Sequence, residues 1–244
     1  MEVEFEKTYH DIEKKHFWFR SRRDYIISLL KEYPKNIKIL DIGSSSGILL
    51  NELVDLGFNV ENLYGIDISE NAIKNCKLNG IANSFVMDAQ NITLDQKFDV
   101  IIASDCLEHL KDDAKALNNW NGLLKEDGTL LVFVPAFMSL WSEHDVVNMH
   151  YRRYIKKDLV KSLQDANFKI EKASYWNFFL FFPIYIYRGL SRLKSSNGNN
   201  NSGDLEQPSF FNNVLYLLIK FENTLLKHIN FPVGVSAFCI AKKR

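Results

Sequence analysis

Ile37-Lys38-Ile39-Leu40-Asp41-Ile42-Gly43-Ser44-Ser45-Ser46-Gly47-Ile48-Leu49-Leu50 is an apolar run that breaks into a loop of small residues and restarts with helical spacing. It reads as strand, turn, helix. Leu49, Leu50, Leu53 and Leu56 share one helical face, and Gly57 follows as a stop signal. Gly43 and Gly47 bracket three serines, so a ligand can approach the backbone closely and meet the amides that open the next helix. A dinucleotide-binding turn needs Gly-x-Gly-x-x-Gly to seat a pyrophosphate. Here the pattern is Asp-x-Gly-x-x-x-Gly, with Asp41 ahead of the loop and Ser45 where a middle glycine would stand. An acid in that position suits a cation better than a pyrophosphate.

Working outward, three more apolar segments end in acids or polar groups. Leu63–Asp67 is followed by Ile68-Ser69, Ser84–Met87 by Asp88-Ala89-Gln90, and Phe98–Ala103 by Ser104-Asp105-Cys106-Leu107-Glu108-His109-Leu110. An isolated acid at a strand end is most often a turn former. Their recurrence in this order, behind the Asp41 loop, resembles the class I S-adenosylmethionine-dependent methyltransferases. The resemblance implies a doubly wound, mostly parallel, Rossmann-like α/β sheet with helices on both faces and an antiparallel last strand. It implies S-adenosyl-L-methionine as cofactor, with Asp41, Gly43, Ser44 and Gly47 at the loop and Asp67 and Ile68 at the ribose. Asp88 and Ala89 would face the adenine, and Ser104 and Asp105 would border the methyl group. The aromatic and basic run His16–Arg23 is similar to entries seen in such enzymes, where it anchors the core or caps the cofactor; Trp18 and Arg20 are its candidate contacts with an acceptor.

The alternation of patterns supports that architecture. Strands are expected at 37–42, 63–67, 84–87, 98–103, 129–134, 168–175 and 235–241, and helices at 20–33, 47–56, 69–79 and 112–124 and around Leu159–Ala166. This divides the chain into an N-terminal cap, 1–36, a cofactor-binding domain, 37–175 plus 232–244, an active-site loop, 136–155, and a helical insertion, 176–231, before the last strand. In the family a short hairpin joins the last two strands; here about 60 residues intervene, too long for a plain loop.

The active-site loop carries Trp141-Ser142-Glu143-His144-Asp145 and His150-Tyr151-Arg152-Arg153-Tyr154. Its irregular His and Asp separations match no common metal set and no Cys joins them, so no metal is expected. His109, His144 and His150 are the candidate general bases if the acceptor is a hydroxyl. Glu108, Asp145, Arg152, Arg153 and Tyr154 are candidate acceptor contacts, the loop's motif being similar to one in methyltransferases associated with cell-surface glycan and lipid gene products.

In the insertion, Tyr175–Tyr187 is almost wholly apolar and aromatic, shorter than the roughly 20 residues a spanning helix takes. Arg188, Arg192 and Lys194 follow it, then the polar linker Ser195–Gln207, then Phe211, Val214, Leu215, Leu218, Leu225 and Ile229 on one helical face. Rings beside positive charge suit an anionic membrane surface; the bland alternative is that both elements extend the core.

The net charge is zero, yet residues 1–149 hold 15 Lys and Arg against 24 Asp and Glu, and residues 150–194 hold 10 against 3. An acidic body argues against nucleic acid as a partner. Three scattered cysteines and an acidic first segment, Met1–Glu6, read as a reducing compartment without a leader, hence a cytoplasmic protein, peripheral at the inner face of the membrane if the insertion touches lipid. The acceptor reading is a membrane-associated lipid, lipid-linked glycan or quinone-like molecule. Its alternatives are a small soluble metabolite, a non-catalytic binding protein of the same fold, or a nicotinamide-dependent oxidoreductase, the last opposed by the missing Gly-x-Gly-x-x-Gly.

Overall fold

The computed structural model of the protein describes residues 12–194 and 211–244, excepting the side chains of 191–194. The first described long element is helix α1, Phe17–Leu30, whose capping residue His16 accepts the Trp18 amide through Nδ1. The helix therefore begins earlier than the 20–33 expected, and Phe17–Arg23 is wound into its first two turns. Strand β1, Ile39–Ile42, leads through the small-residue loop into α2, Ile48–Asp55. Gly43 and Gly47 have φ of 75° and 76°, the left-handed region. At Gly47 a Cβ would stand 2.5 Å from the Cys76 sulfur, so close packing as well as conformation requires glycine there.

The chain continues through β2, Leu63–Asp67, α3, Glu70–Leu78, β3, Ser84–Val86, β4, Phe98–Ser104, and α4, Asp113–Leu123. Asp112 caps α4 by accepting the Lys115 amide at 2.9 Å. Strand β5, Leu124–Pro135, is longer than expected, because its register against β4 shifts past the Asp127-Gly128 turn and pairing resumes at Thr129. A short helix α5, Glu143–Val147, lies in the loop after β5, followed by α6, Lys156–Asp165, and β6, Phe168–Trp176. The insertion forms α7, Phe178–Lys194, and α8, Phe211–Leu226; β7, Ser236–Lys243, closes the sheet.

The seven strands lie in the order β3-β2-β1-β4-β5-β7-β6, with β7 antiparallel to both neighbours and the remaining pairs parallel. Successive side chains of β4 alternate between the two faces: Ile101 and Ala103 join Leu117, Trp120, Leu159 and Leu163, whereas Val100 and Ile102 join Tyr25, Ile26, Leu30, Leu50 and Leu53. Strand order reverses between β1 and β4, which opens a crevice at their carboxyl ends.

The insertion is tied to this frame. Asn212 accepts the Phe17 amide at 2.7 Å, Tyr216 donates to Asp24 at 2.6 Å, and Asn223 donates to the Ser21 carbonyl at 2.7 Å, so α8 lies along α1. The buried Glu222 carboxylate accepts the Phe178 and Phe179 amides at 3.0 and 3.1 Å, satisfying orphan donors at the start of α7. The core-extension alternative thus accounts for the inner faces of both helices. Phe178 is part of that core, stacked on Phe231 with centroids 4.9 Å apart, and is not a membrane-facing ring. The linker 195–207 and the side chains of Arg192 and Lys194 lie outside the described residues, as does Met1–Glu6.

Candidate functional site

A cavity of about 1420 Å³ occupies the carboxyl edge of the sheet. One end is walled by the loop after β1, the ends of β2, β3 and β4, and the first turns of α1. The other reaches between α7 and α8 at Ile184, Tyr187, Arg188 and Leu215.

At the cofactor end, two backbone amides hold the Asp67 carboxylate in place. Its Oδ2 accepts the Ser45 amide at 3.0 Å and its Oδ1 the Ser69 amide at 2.9 Å. Asp41, buried beneath the loop, is pushed well above the usual carboxylate range by burial and then by the charges of Glu13 and Asp67. Glu13 reaches the loop itself, accepting the Ser45 hydroxyl at 2.8 Å. Three carboxyls around one glycine cradle suit a ligand that carries positive charge and hydroxyls, which fits S-adenosylmethionine with its ammonium, sulfonium and ribose.

Gly43, Ser44, Ile68, Asp88, Ala89, Ser104 and Asp105 also line this end. Gly47 does not; its part is conformational. Arg22 does, and it was not among the residues singled out from sequence. It pairs with Asp105, donates to Ser236 at 3.1 Å, and stacks over Trp176 with its guanidinium carbon 4.6 Å from the ring centroid. The signal was present in the helical period: Trp18, Arg22 and Ile26 share one face, and Arg20 falls on another. Arg20 accordingly lies outside the cavity, 4.1 Å over the Tyr216 ring, a correction to its expected acceptor contact. Trp18 lines the cavity and packs edge-on against Trp176.

The wall facing the cofactor end is built by the turn Leu107–His109 and the loop around α5. The Tyr151 amide donates to the Glu108 carbonyl at 2.9 Å, stitching the two together. His109 and His150 meet edge to face with centroids 4.6 Å apart, and His144 lies 6.2 Å from His150. Burial and the neighbouring His150 lower the His109 pKa to about 4, so His109 is neutral at ordinary pH. Ligating atoms of Glu108, His109 and His150 all lie within 4.8 Å of one another, a convergence the sequence separations did not reveal.

Asp145 is fully buried behind this wall and does not face the cavity. Its Oδ1 receives His150 Nδ1 at 2.8 Å and Arg153 Nε at 2.7 Å, its Oδ2 receives Arg153 Nη2 at 2.9 Å, and the Ser142 amide donates to it at 2.8 Å. Burial alone would raise this carboxyl, yet the bonds from His150 and Arg153 hold it well below its ordinary range. An ionised Asp145 favours the His150 tautomer that carries its proton on Nδ1, in which Nε2 is the acceptor nitrogen.

Arg153 lines the cavity, but Arg152 and Tyr154 do not. Both turn to Asp113: Arg152 Nη1 at 2.9 Å and the Tyr154 hydroxyl at 2.9 Å. They latch the loop to the start of α4, which corrects their expected contact with an acceptor. Arg188 is corrected in the opposite direction. It lies four residues after Ile184 on the inner face of α7, lines the cavity and donates to the Leu140 carbonyl, so it is no headgroup contact.

Comparison with known proteins agrees with this frame. A family described as a methyltransferase domain matches residues 14–173. Ubiquinone biosynthesis O-methyltransferase of Bartonella tribocorum is 30% identical over 112 residues, covering 43% of this chain and 43% of that protein. Its Pelagibacter ubique counterpart is 30% identical over 115 residues, 45% and 47% of the two chains. The match thus spans less than half the length of these curated relatives.

Two solved structures share the fold at low identity. A Thermotoga maritima protein described as a S-adenosylmethionine-dependent methyltransferase, possible histamine N-methyltransferase, has a TM-score of 0.61 at 15% identity, covering 99% of this chain and 96% of that one. A S-adenosylmethionine-dependent methyltransferase from Clostridium acetobutylicum has a TM-score of 0.56 at 14% identity, with 92% and 91% covered. The chain belongs to the methyltransferase-domain family and shares its fold with S-adenosylmethionine-dependent methyltransferases.

Proposed function

We propose that the protein methylates a hydroxyl of a hydrophobic, quinone-like or lipid-linked acceptor drawn from an anionic membrane surface. The observation that carries the reading is the continuity of one cavity from the Asp67 end to the inner faces of α7 and α8, whose outer faces are apolar. Phe182, Ile186 and Leu190 recur every fourth residue along α7, and Phe211, Val214, Leu217 and Phe221 every third or fourth along α8; each is more than half exposed. Phe179 and Phe221 join the two helices, with ring centroids 6.4 Å apart. The relatives named as ubiquinone biosynthesis O-methyltransferases support a quinone-like acceptor. Among the described residues no helix is long and apolar enough to cross a membrane, so contact would be made from one side.

The cofactor supplies a methyl group on a positively charged sulfur, already electrophilic. The protein's work is alignment, exclusion of water and management of one proton. In this reading His150 Nε2 takes the acceptor's hydroxyl proton as the oxygen–carbon bond forms and the carbon–sulfur bond breaks. Asp145 stabilises the resulting imidazolium, and Arg153 keeps Asp145 ionised.

Vesicle co-sedimentation tests the membrane part. Binding should rise with anionic lipid content, and Phe182→Ser with Ile186→Ser and Leu190→Ser should remove most of it at high salt, since each apolar side chain withdrawn from water contributes about 1.5–3 kcal/mol. A folded protein that stays in the supernatant at every composition would favour a soluble metabolite instead.

The acidic cradle makes a separate prediction. The Asp41 pKa is raised in the free site, and a cation arriving beside it must lower that pKa again, so binding releases a proton and affinity rises with pH through the free-site pKa. Calorimetric titration of S-adenosylmethionine in buffers of differing ionisation enthalpy should show this release, and Asp41→Asn should abolish it. Proton uptake on binding would contradict the assignment.

A further inference from the structure

Glu108 stands in the middle of the wall opposite the cofactor end. Its side chain is fully buried and lines the cavity, and among the described residues neither carboxylate oxygen has a hydrogen-bond partner from another side chain or backbone group. A buried carboxyl in that condition is costly, and native folds retain such a group where a ligand completes it. The charged and titratable groups around it are accounted for. Asp105, Cys106 and His109 come from its own segment, Arg22 from α1, and His150, Arg153 and Tyr154 from the loop around and after α5. Arg22 is committed to Asp105 and Arg153 to Asp145, and neither makes a hydrogen bond to Glu108. Burial, and then the charge of Asp105, hold the Glu108 carboxyl well above its ordinary range, so it keeps its proton where other carboxyls have lost theirs.

We infer that Glu108 is an uncharged hydrogen-bond donor to a second oxygen of the acceptor, next to the oxygen whose proton His150 removes. The inference rests on the acceptor reading above. The carboxylate oxygen of Glu108 and a ring nitrogen of His150 lie within 4.8 Å of each other, so hydrogen bonds of ordinary length from both converge on neighbouring oxygens. A lone hydroxyl satisfies one of them and leaves the other buried group unpaired. A site of that kind rejects the analogue lacking the oxygen more strongly than an apolar pocket can. Glu108 is therefore a positioning and specificity residue for acceptors with paired oxygens, and the proton transfer belongs to His150.

The test compares a long-chain alkylcatechol with the matching alkylphenol, titrated calorimetrically into the full chain loaded with S-adenosylhomocysteine. The wild type should favour the catechol by about tenfold or more. Glu108→Gln, an uncharged variant of the same shape that keeps an N–H donor, should retain most of that preference. Glu108→Ala should bring the ratio close to one with S-adenosylhomocysteine affinity and melting behaviour unchanged.

The inference falls if Glu108→Ala keeps the wild-type ratio, or if Glu108→Gln collapses as fully as Glu108→Ala, since the charged form would then be needed. It also falls if EDTA abolishes the preference and Mg²⁺ or Zn²⁺ restores it, since Glu108, His109 and His150 would then be holding a cation. In each of these cases the catechol still binds and the acceptor reading stands. A wild type that takes up S-adenosylhomocysteine but neither probe defeats the acceptor reading and the inference together.

Discussion

His150→Ala should lower turnover by a factor on the order of 10² to 10⁴, the usual contribution of a positioned general base, while S-adenosylmethionine affinity stays within about twofold. The expectation follows from a division of labour across the cavity. The His150 side chain bonds away from the cavity, through Nδ1 to Asp145 at 2.8 Å, whereas the cofactor end is held by the loops after β1 and β2. Asp145→Asn should approach the same loss of turnover, because an amide can present its N–H to Nδ1 and turn the imidazole to the wrong tautomer. It should also cost stability, about 3–5 kcal/mol where the buried Arg153 is left without a charged partner. Steady-state kinetics beside cofactor titration separates the cases. A fall in cofactor affinity that tracks the fall in turnover would make the loop a cofactor lid.

Much of the cofactor end is legible in the sequence because its determinants are local. Gly43, Gly47 and Asp67 sit at the ends of short apolar runs, and a strand, a turn and a helix start each follow from neighbours a few residues away. The opposite wall is less legible because it is assembled across the chain. Asp145, His150 and Arg153 come together only when α5 folds its short turn and Tyr154 docks beside Ala136 in a single parallel bridge. The separations along the chain resemble no standard set, and His150 and Arg153 still share the Asp145 carboxylate.

Arg22 and Arg188 show a different limit. Composition suggested that arginines near aromatic runs face a ligand or a membrane, and periodicity was needed to say which face of α1 or α7 each occupies. Arg20 and Arg22 differ by two positions, which on a helix places them on opposite sides. The insertion was legible as two apolar helices, but the split between an inner face on α1 and an exposed outer face depends on partners such as Asn212, Glu222 and Asn223 that carry no apolar signal of their own.

Asp67→Ala is expected to weaken S-adenosylmethionine binding by about 2–3 kcal/mol, or roughly 30- to 150-fold, the worth of charge-assisted hydrogen bonds in a partly closed site. Two backbone amides already hold the carboxylate, at 3.0 and 2.9 Å, so little ordering remains when ribose hydroxyls arrive. The same substitution leaves those amides, from Ser45 and Ser69, without their acceptor and loosens the glycine loop, which adds to the loss. Asp67→Asn, which keeps the shape and one acceptor oxygen, should fall between wild type and Ala. Calorimetric titration of S-adenosylmethionine and of NADH into wild type and Asp67→Ala is the most direct measurement. The predicted result is S-adenosylmethionine binding in the wild type that falls by the stated factor in the variant, with no uptake of NADH by either. Equal S-adenosylmethionine affinity in the two proteins, or tight NADH binding with no response to S-adenosylmethionine, would contradict the account.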